Sequence, residues 1–127
     1  MSVFKSCVVA VALSSSLLLS AVAQAHPKLL SSTPAEGENG QAPAKIELYF
    51  SESLVTQFSG AKLIMTDMPG MPNSPMGVKA SVAGGSDPKT MIITPTSPLT
   101  TGTYKIEWRA VSSDTHPITG SVTFKVK

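Results

Sequence analysis

Residues 104–109 read Tyr104-Lys105-Ile106-Glu107-Trp108-Arg109, in which large apolar side chains alternate with charged ones. Successive side chains of a β-strand point to opposite faces of a sheet, so this alternation places one set in a core and the other in water. The same period of two recurs along the chain, at residues 28–32, 45–50, 61–66, 78–82, 90–94 and 122–127. Proline and glycine separate these runs, and no helical periodicity follows residue 26. Seven short strands in about 100 residues predict an all-β fold, a seven-stranded β-sandwich.

A tyrosine corner is a second indication of a sandwich. Residues 99–104 read Leu-Thr-Thr-Gly-Thr-Tyr, which is the spacing of this motif. In a tyrosine corner, a Tyr near the start of a strand bonds its hydroxyl to upstream backbone and pins a crossover between sheets. The alternative is that Tyr104 is an ordinary inward-facing strand residue.

The first 25 residues have the order of regions found in a secretory signal peptide. Lys5 gives a charged opening, residues 7–19 are apolar and small, and Ala23-Gln24-Ala25 fits the small-x-small pattern of signal peptidase. The apolar run is shorter than the roughly 20 residues that cross a bilayer. Cleavage after Ala23 and a retained amphipathic anchor are the alternatives. We expect cleavage after Ala25, which leaves one domain, residues 26–127, beginning at His26.

Charge and cysteine content exclude several classes of function. Cys7 is the only cysteine and would leave with the leader, so we expect no disulfide, no thiolate nucleophile and no zinc–thiolate site. Without Lys5, nine basic and eight acidic side chains remain, and they are dispersed. Nucleic acid and acidic membrane surfaces are therefore poor candidate partners, and we expect no membrane insertion of the mature chain. We expect a monomer.

Residues 65–76 form a methionine-rich segment interrupted by three prolines. The prolines and Gly70 exclude a helix or a central strand, so most of the segment is predicted to be a loop. Thioether sulfur is soft and neutral and prefers Cu(I) among the common metal ions. The candidate Cu(I) ligands are Met65, Met68, Met71 and Met76. Core packing or adhesion is the alternative, above all for Met65 at a strand end. Met91, alone beside Ile92, is expected to be a core residue.

The two histidines of the chain, His26 and His116, form the second candidate site. A terminal His26 would offer its amine and its Nδ1 as a chelating pair, and Pro27 has no N–H through which copper could bind the next peptide bond. Asp114 and His116 are two residues apart, which in an extended segment directs both side chains to one face. This nitrogen-rich set suits Cu(II). Glu52, in a loop after a strand, is a candidate further oxygen ligand, although exposed carboxylates and loop histidines are common without metal.

Over the expected mature length, the chain resembles the periplasmic copper-resistance protein C family, the CopC and PcoC proteins. The stretches that carry the resemblance are residues 26–29 (His-Pro-Lys-Leu), 50–52 (Phe-Ser-Glu), 58–63 (Phe-Ser-Gly-Ala-Lys-Leu), the methionine segment and 108–120 (Trp-Arg-Ala-Val-Ser-Ser-Asp-Thr-His-Pro-Ile-Thr-Gly). The last stretch is long and specific to the family.

The resemblance implies a Greek-key sandwich, cupredoxin-like or immunoglobulin-like, with Cu(I) and Cu(II) sites at opposite ends. It implies a soluble periplasmic protein that sequesters or carries copper in copper homeostasis or resistance, with other periplasmic or membrane copper-handling proteins as candidate partners. The Cu(II) ligands would be His26, Asp114 and His116, with Glu52 as a candidate. The Cu(I) ligands would be among the four methionines of residues 65–76. The best-known members have a histidine where this chain has Asn73, so we expect an all-thioether or weaker Cu(I) site.

The alternative from another class is a copper monooxygenase-like oxidase, because such enzymes also hold copper on a β-sandwich with an N-terminal histidine and a second histidine. The small size, a carboxylate ligand that would stabilise Cu(II), and the presence of only one Trp and two Tyr argue against an oxidase that acts on a polymer. A sandwich used only for adhesion would leave both candidate sites without a role. We therefore expect a non-enzymatic copper-binding protein.

Overall fold

The computed structural model describes residues 26–71 and 75–127, and the expected leader lies outside this part of the chain. The described residues form nine strands and no helix. They are β1 (Leu29–Thr33), β2 (Asn39–Gly40), β3 (Ile46–Phe50), β4 (Gly60–Asp67), β5 (Met76–Val78), β6 (Ala80–Gly84), β7 (Thr90–Pro95), β8 (Gly102–Val111) and β9 (Pro117–Val126).

The strands form two sheets that pack face to face, and the predicted all-β sandwich is confirmed. One sheet has the order β1-β3-β7-β6 and the other the order β2-β9-β8-β4-β5. Neighbouring strands are antiparallel except for the short parallel pair β2–β9. From β1 to β9 the chain repeatedly changes sheets, which connects the two layers at several points.

The described residues contain nine strands where the sequence predicted seven, for two reasons. β2 has two residues, too few to show any period. The predicted strand at residues 78–82 is divided between β5 and β6, which belong to different sheets. Val78 and Ala80, on either side of the crossover at Lys79, both pack against the core. The alternation of inward and outward side chains therefore continues through the crossover, so the sequence pattern does not show where the chain changes sheets.

The core lies between the sheets and is built from the inward-facing members of each alternating run. Its largest buried side chains are Ile46, Leu48, Phe50, Leu63, Met65, Met91, Ile93, Tyr104, Ile106, Trp108, Val122 and Phe124. Full burial of such a side chain contributes roughly 1.5–3 kcal/mol. Phe50 and Trp108, from opposite sheets, meet edge to face with ring centroids 5.1 Å apart. Met91 is a core residue, as predicted.

The tyrosine corner is confirmed. The Tyr104 hydroxyl donates to the Thr100 carbonyl oxygen at 2.7 Å and accepts from the Thr100 N–H at 3.0 Å. The ring stacks on Phe124 with centroids 5.5 Å apart. These contacts fix the connection at which the chain leaves β7 in one sheet and enters β8 in the other.

Within residues 26–71 and 75–127, no helix is long and apolar enough to cross a membrane.

Candidate metal centre

The turn between β8 and β9 carries two of the predicted Cu(II) ligands. β8 ends at Val111 and β9 begins at Pro117, so residues 112–116 close a tight hairpin. The Thr115 N–H donates to the Ser112 carbonyl oxygen at 3.0 Å. Thr115 has φ 64°, a left-handed conformation that β-branched residues rarely adopt. This turn brings Asp114 and His116 together at one end of the sandwich.

The segment that leads into β1 places His26 beside this hairpin. The Lys28 N–H donates to the Ser51 hydroxyl at 2.9 Å, and the Ser51 N–H donates to the Lys28 carbonyl oxygen at 2.9 Å. Pro27 is fully buried. Residues 27 and 28 are therefore held against the rest of the protein, and the side chain of His26, which precedes them, is about half-exposed.

Three side chains from the two ends of the domain sequence meet at this point. His26 Nδ1 lies 2.6 Å from Asp114 Oδ2, and His116 Nδ1 lies 3.8 Å from the same oxygen. The two imidazole centroids are 5.8 Å apart. One ligand atom of each residue lies within 4.8 Å of those of the other two. The side chains of His26 and His116 are 52% and 74% exposed and that of Asp114 is 17% exposed. An ion in solvent can therefore reach both imidazoles, and the imidazoles can rotate to bind it.

The surroundings of Asp114 lower the pKa of its carboxyl from the ordinary value. Burial is the largest single influence and acts in the opposite direction, because it penalises the charged form. The His116 backbone N–H and the Ser112 hydroxyl donate hydrogen bonds to the carboxylate and lower its pKa, and the two nearby imidazoles lower it further. Together these groups outweigh the effect of burial. The carboxylate is thus held in its ionised form, which is the form that binds metal.

Glu52 lies near this end of the fold but outside the group of three. It follows Ser51, which is bonded to Lys28, and its side chain is half-buried. Among the described residues, the close cluster of possible metal-binding side chains consists of His26, Asp114 and His116. The role of Glu52 as a further oxygen ligand stays a prediction.

The methionine segment forms the other end of β4 and the hairpin that follows it. Met65 is buried in the core, while its cross-strand partner Met76 is half-exposed on β5. Met68 packs partly against the core, and Met71 is half-exposed. The Met71 N–H donates to the Met68 carbonyl oxygen at 3.0 Å, which closes a turn at Gly70 (φ 82°). Asn73 lies outside the described residues.

The two candidate sites lie at opposite ends of β8. Asp67, next to Met68, pairs with Thr103 near the start of β8, whereas the Asp114 hairpin follows Val111 at its end. A ten-residue strand spans about 30 Å. No direct contact between the sites is therefore expected.

Ser112 is a site residue that the sequence reasoning missed. The residue is 1% exposed, and its hydroxyl donates to Asp114 Oδ1 at 3.1 Å. The signal that could have found it is the Ser-x-Asp spacing before His116. Ser and Asp side chains in turns commonly form hydrogen bonds with groups a few residues away.

Taken together, the fold and the site define a β-sandwich protein with an exposed His–Asp–His group at one end and a methionine-rich hairpin at the other. A family model described as the CopC domain matches residues 29–127, and the chain belongs to that family.

The chain is similar to proteins named copper resistance protein C. The one from Pseudomonas syringae pv. tomato is 80% identical over 111 residues, which cover 87% of this chain and 88% of that protein. The one from Escherichia coli is 60% identical over 106 residues, 83% of this chain and 84% of that protein. These relatives carry the names of copper resistance proteins and not of enzymes.

Solved structures agree with the fold. The crystal structure of PcoC, described as a methionine rich copper resistance protein from Escherichia coli, superposes with a TM-score of 0.76 at 59% identity, over 81% of this chain and 100% of that one. CopC from Methylosinus trichosporium OB3b gives a TM-score of 0.65 at 23% identity, over 80% of this chain and 94% of that one, which is a likeness of fold alone.

Proposed function

We propose that this protein binds copper in copper resistance, as a periplasmic protein that sequesters or carries the ion and catalyses no reaction. The observation that carries the proposal is the group formed by His26, Asp114 and His116, in a chain whose relatives are named copper resistance proteins. Export would remove residues 1–25 and leave residues 26–127 as the working domain.

The end that contains His26 is the proposed Cu(II) site. Once the leader is removed, His26 would offer its α-amino nitrogen together with Nδ1, and Nδ1 already faces the Asp114 carboxylate. The His116 imidazole supplies a further nitrogen and Asp114 an anionic oxygen. Nitrogen and oxygen donors of this kind favour Cu(II) and its tetragonal geometry over softer ions. Glu52 is proposed as an additional oxygen donor.

The methionine segment is the proposed Cu(I) site. The half-exposed side chains of Met71 and Met76, together with the partly buried Met68, offer soft neutral sulfur at the surface. Met65 is included as a predicted ligand because it faces Met76 across the β4–β5 pair, where directly opposed side chains share one face of the sheet. Its burial supports the packing alternative for this residue.

The comparisons give no support to the oxidase alternative. A carboxylate in the cluster also favours the oxidised ion, whereas oxygen activation requires ready reduction to Cu(I). The protein is therefore proposed to bind and release copper, with copper as its cargo.

Separate Cu(I) and Cu(II) titrations of residues 26–127 and two variants test this function. His116→Ala removes one imidazole and should weaken Cu(II) binding by more than about tenfold, or 1.4 kcal/mol, and leave Cu(I) binding unchanged. The double change Met68→Leu with Met71→Leu keeps the apolar volume and should weaken Cu(I) binding alone, with a stability cost under about 1.5 kcal/mol.

Met91→Leu is the matched control, since it replaces a buried methionine outside the segment. It should change the affinity for neither ion. A loop variant that unfolds, or one that keeps full Cu(I) affinity, would show that the methionines serve packing. An unchanged Cu(II) affinity in His116→Ala would refute the proposed Cu(II) site.

A further inference from the structure

The two carboxylate oxygens of Asp114 have different partners. Oδ1 accepts from the Ser112 hydroxyl at 3.1 Å and from the His116 backbone N–H at 3.2 Å. Oδ2 faces Nδ1 of His26 at 2.6 Å and Nδ1 of His116 at 3.8 Å. Oδ1 is thus held by hydrogen bonds from the protein, and Oδ2 faces the imidazole nitrogens of His26 and His116.

Ser112 is the rigid member of this arrangement. Ser112 is buried, with 1% of the residue exposed, whereas both histidine side chains are more than half exposed. The preceding residue is held by a backbone hydrogen bond, because the Val111 carbonyl oxygen accepts from the Val55 N–H at 2.7 Å. The hydroxyl of Ser112 therefore reaches Asp114 from a well-anchored position.

From this geometry we infer that Ser112 is a positioning residue for the copper site, which holds the Asp114 carboxylate with Oδ2 directed at the ion. The inference rests on the Cu(II) site proposed above. A ligand that is already oriented loses less side-chain freedom on binding, so the hydrogen bond raises affinity without touching the metal. Without the hydroxyl, Oδ1 keeps only the His116 N–H as a described hydrogen-bond donor, and the carboxylate can rotate.

The test compares Ser112→Ala with Ser59→Ala in residues 26–127. Ser59 also uses its hydroxyl to bond the β8 end of the hairpin, but to the Val111 backbone instead of a ligand. Ser112→Ala should weaken Cu(II) binding about 10- to 100-fold, the usual effect of losing an outer-shell partner. It should also shift the electron paramagnetic resonance spectrum of bound Cu(II) and leave Cu(I) affinity unchanged. Ser59→Ala should keep the wild-type spectrum.

A second pair separates the hydrogen bond from side-chain volume. Ser112→Thr and Ser112→Val have side chains of the same shape, and only Thr retains the hydroxyl. The Thr variant should bind Cu(II) with the wild-type spectrum, and the Val variant should resemble Ser112→Ala. This pair also decides the matter if the alanine variant does not fold.

Three results would overturn the inference. One is a wild-type spectrum and affinity in Ser112→Ala. Another is the same loss in both serine-to-alanine variants, which would indicate a general loosening of the hairpin. The third is equal behaviour of the Thr and Val variants. Asp114→Asn separates failure of the Ser112 inference from failure of the proposed Cu(II) site. If Asp114→Asn keeps full Cu(II) affinity, the proposed Cu(II) site itself is wrong. If Asp114→Asn loses Cu(II) affinity while the Ser112 variants do not, only the positioning role of Ser112 is wrong.

Discussion

His26 can offer its α-amino nitrogen to a metal only after the peptide bond before it is cut. Its imidazole lies beside Asp114, and the Ser51 hydrogen bond and the buried Pro27 hold the segment that follows it. Cleavage after Ala25, as proposed, would therefore add one nitrogen donor and one chelate ring at this site.

Adding a single alanine before His26 in the mature protein tests this difference. The extension removes the amine as a chelating donor and leaves the core untouched. We expect Cu(II) affinity to fall by more than about tenfold, or 1.4 kcal/mol, with Cu(I) affinity unchanged. Competition titrations against a chelator of known affinity measure both. Equal Cu(II) affinity in the extended and mature proteins would rule out amine ligation.

At Asn73, in the methionine segment, the resemblance to the best-known members of the family implies a histidine. An amide is a hard donor and a poor ligand for Cu(I), whereas an imidazole binds it well. Asn73→His should therefore tighten Cu(I) binding, and Asn73→Ala, the control, should leave it unchanged. If the histidine variant also has wild-type affinity, the thioethers already satisfy the ion and the expectation of a weakened site is wrong.

At the scale of elements, the β8–β9 pair connects the core to the candidate Cu(II) site. It is the longest ladder among the described strands, running from Gly102↔Val126 to Val111↔Pro117. Trp108 on β8 lies over Gly120 on β9, where an added Cβ would come within 2.4 Å of the indole. Trp108 cannot withdraw easily because it packs against Phe50 on the opposite sheet.

Gly120→Ala should for this reason lower the free energy of unfolding by about 1–3 kcal/mol, the usual cost of overpacking a core. Gly77→Ala on β5 is the matched control, since nothing lies within 4 Å of its added Cβ. It should leave the free energy of unfolding unchanged or raise it by up to about 1 kcal/mol. Urea unfolding followed by Trp108 fluorescence measures both. A Gly120→Ala variant as stable as the control would contradict the packing described for β8 and β9.

At the scale of the whole molecule, the fold separates two chemically different ends. The nitrogen and carboxylate groups lie at one end of β8 and the thioethers at the other, about 30 Å away. The free-energy effects of mutations at sites so far apart are generally additive. Under the proposed function, each end would therefore bind its own ion independently of the other.

The response to pH should differ between the two ends. Amine and imidazole ligands must lose their protons to bind metal, whereas thioethers carry none. The lowered pKa of Asp114 keeps its carboxylate ionised as acid is added, so the loss comes from the nitrogens. Cu(II) affinity should fall steadily from about pH 8 to about pH 5, and Cu(I) affinity should barely change. Isothermal titrations across this range measure both, and parallel profiles for the two ions would contradict the proposed ligands.

The sequence by itself determined that the fold consists of β-strands, and it determined the chemical type of the candidate ligands. Alternation at residues 45–50, 104–109 and 122–127 was enough to predict strands and their inward faces, and the spacing of residues 99–104 indicated the tyrosine corner. The prolines of the methionine segment excluded a regular core element. These features are local, because each depends on side-chain type and on the two-residue period of an extended backbone.

Only the tertiary structure decided which residues meet. A two-residue period shows which face of a sheet a side chain occupies but not which sheet the strand joins, so the crossover at Lys79 was not fixed by the pattern. His26 and Asp114, far apart in sequence, come within 2.6 Å because Ser51 and the burial of Pro27 hold one segment against a hairpin formed by another. The position of Ser112 behind the carboxylate depends on the same hairpin. Such contacts arise from packing between distant segments, and no local pattern records them.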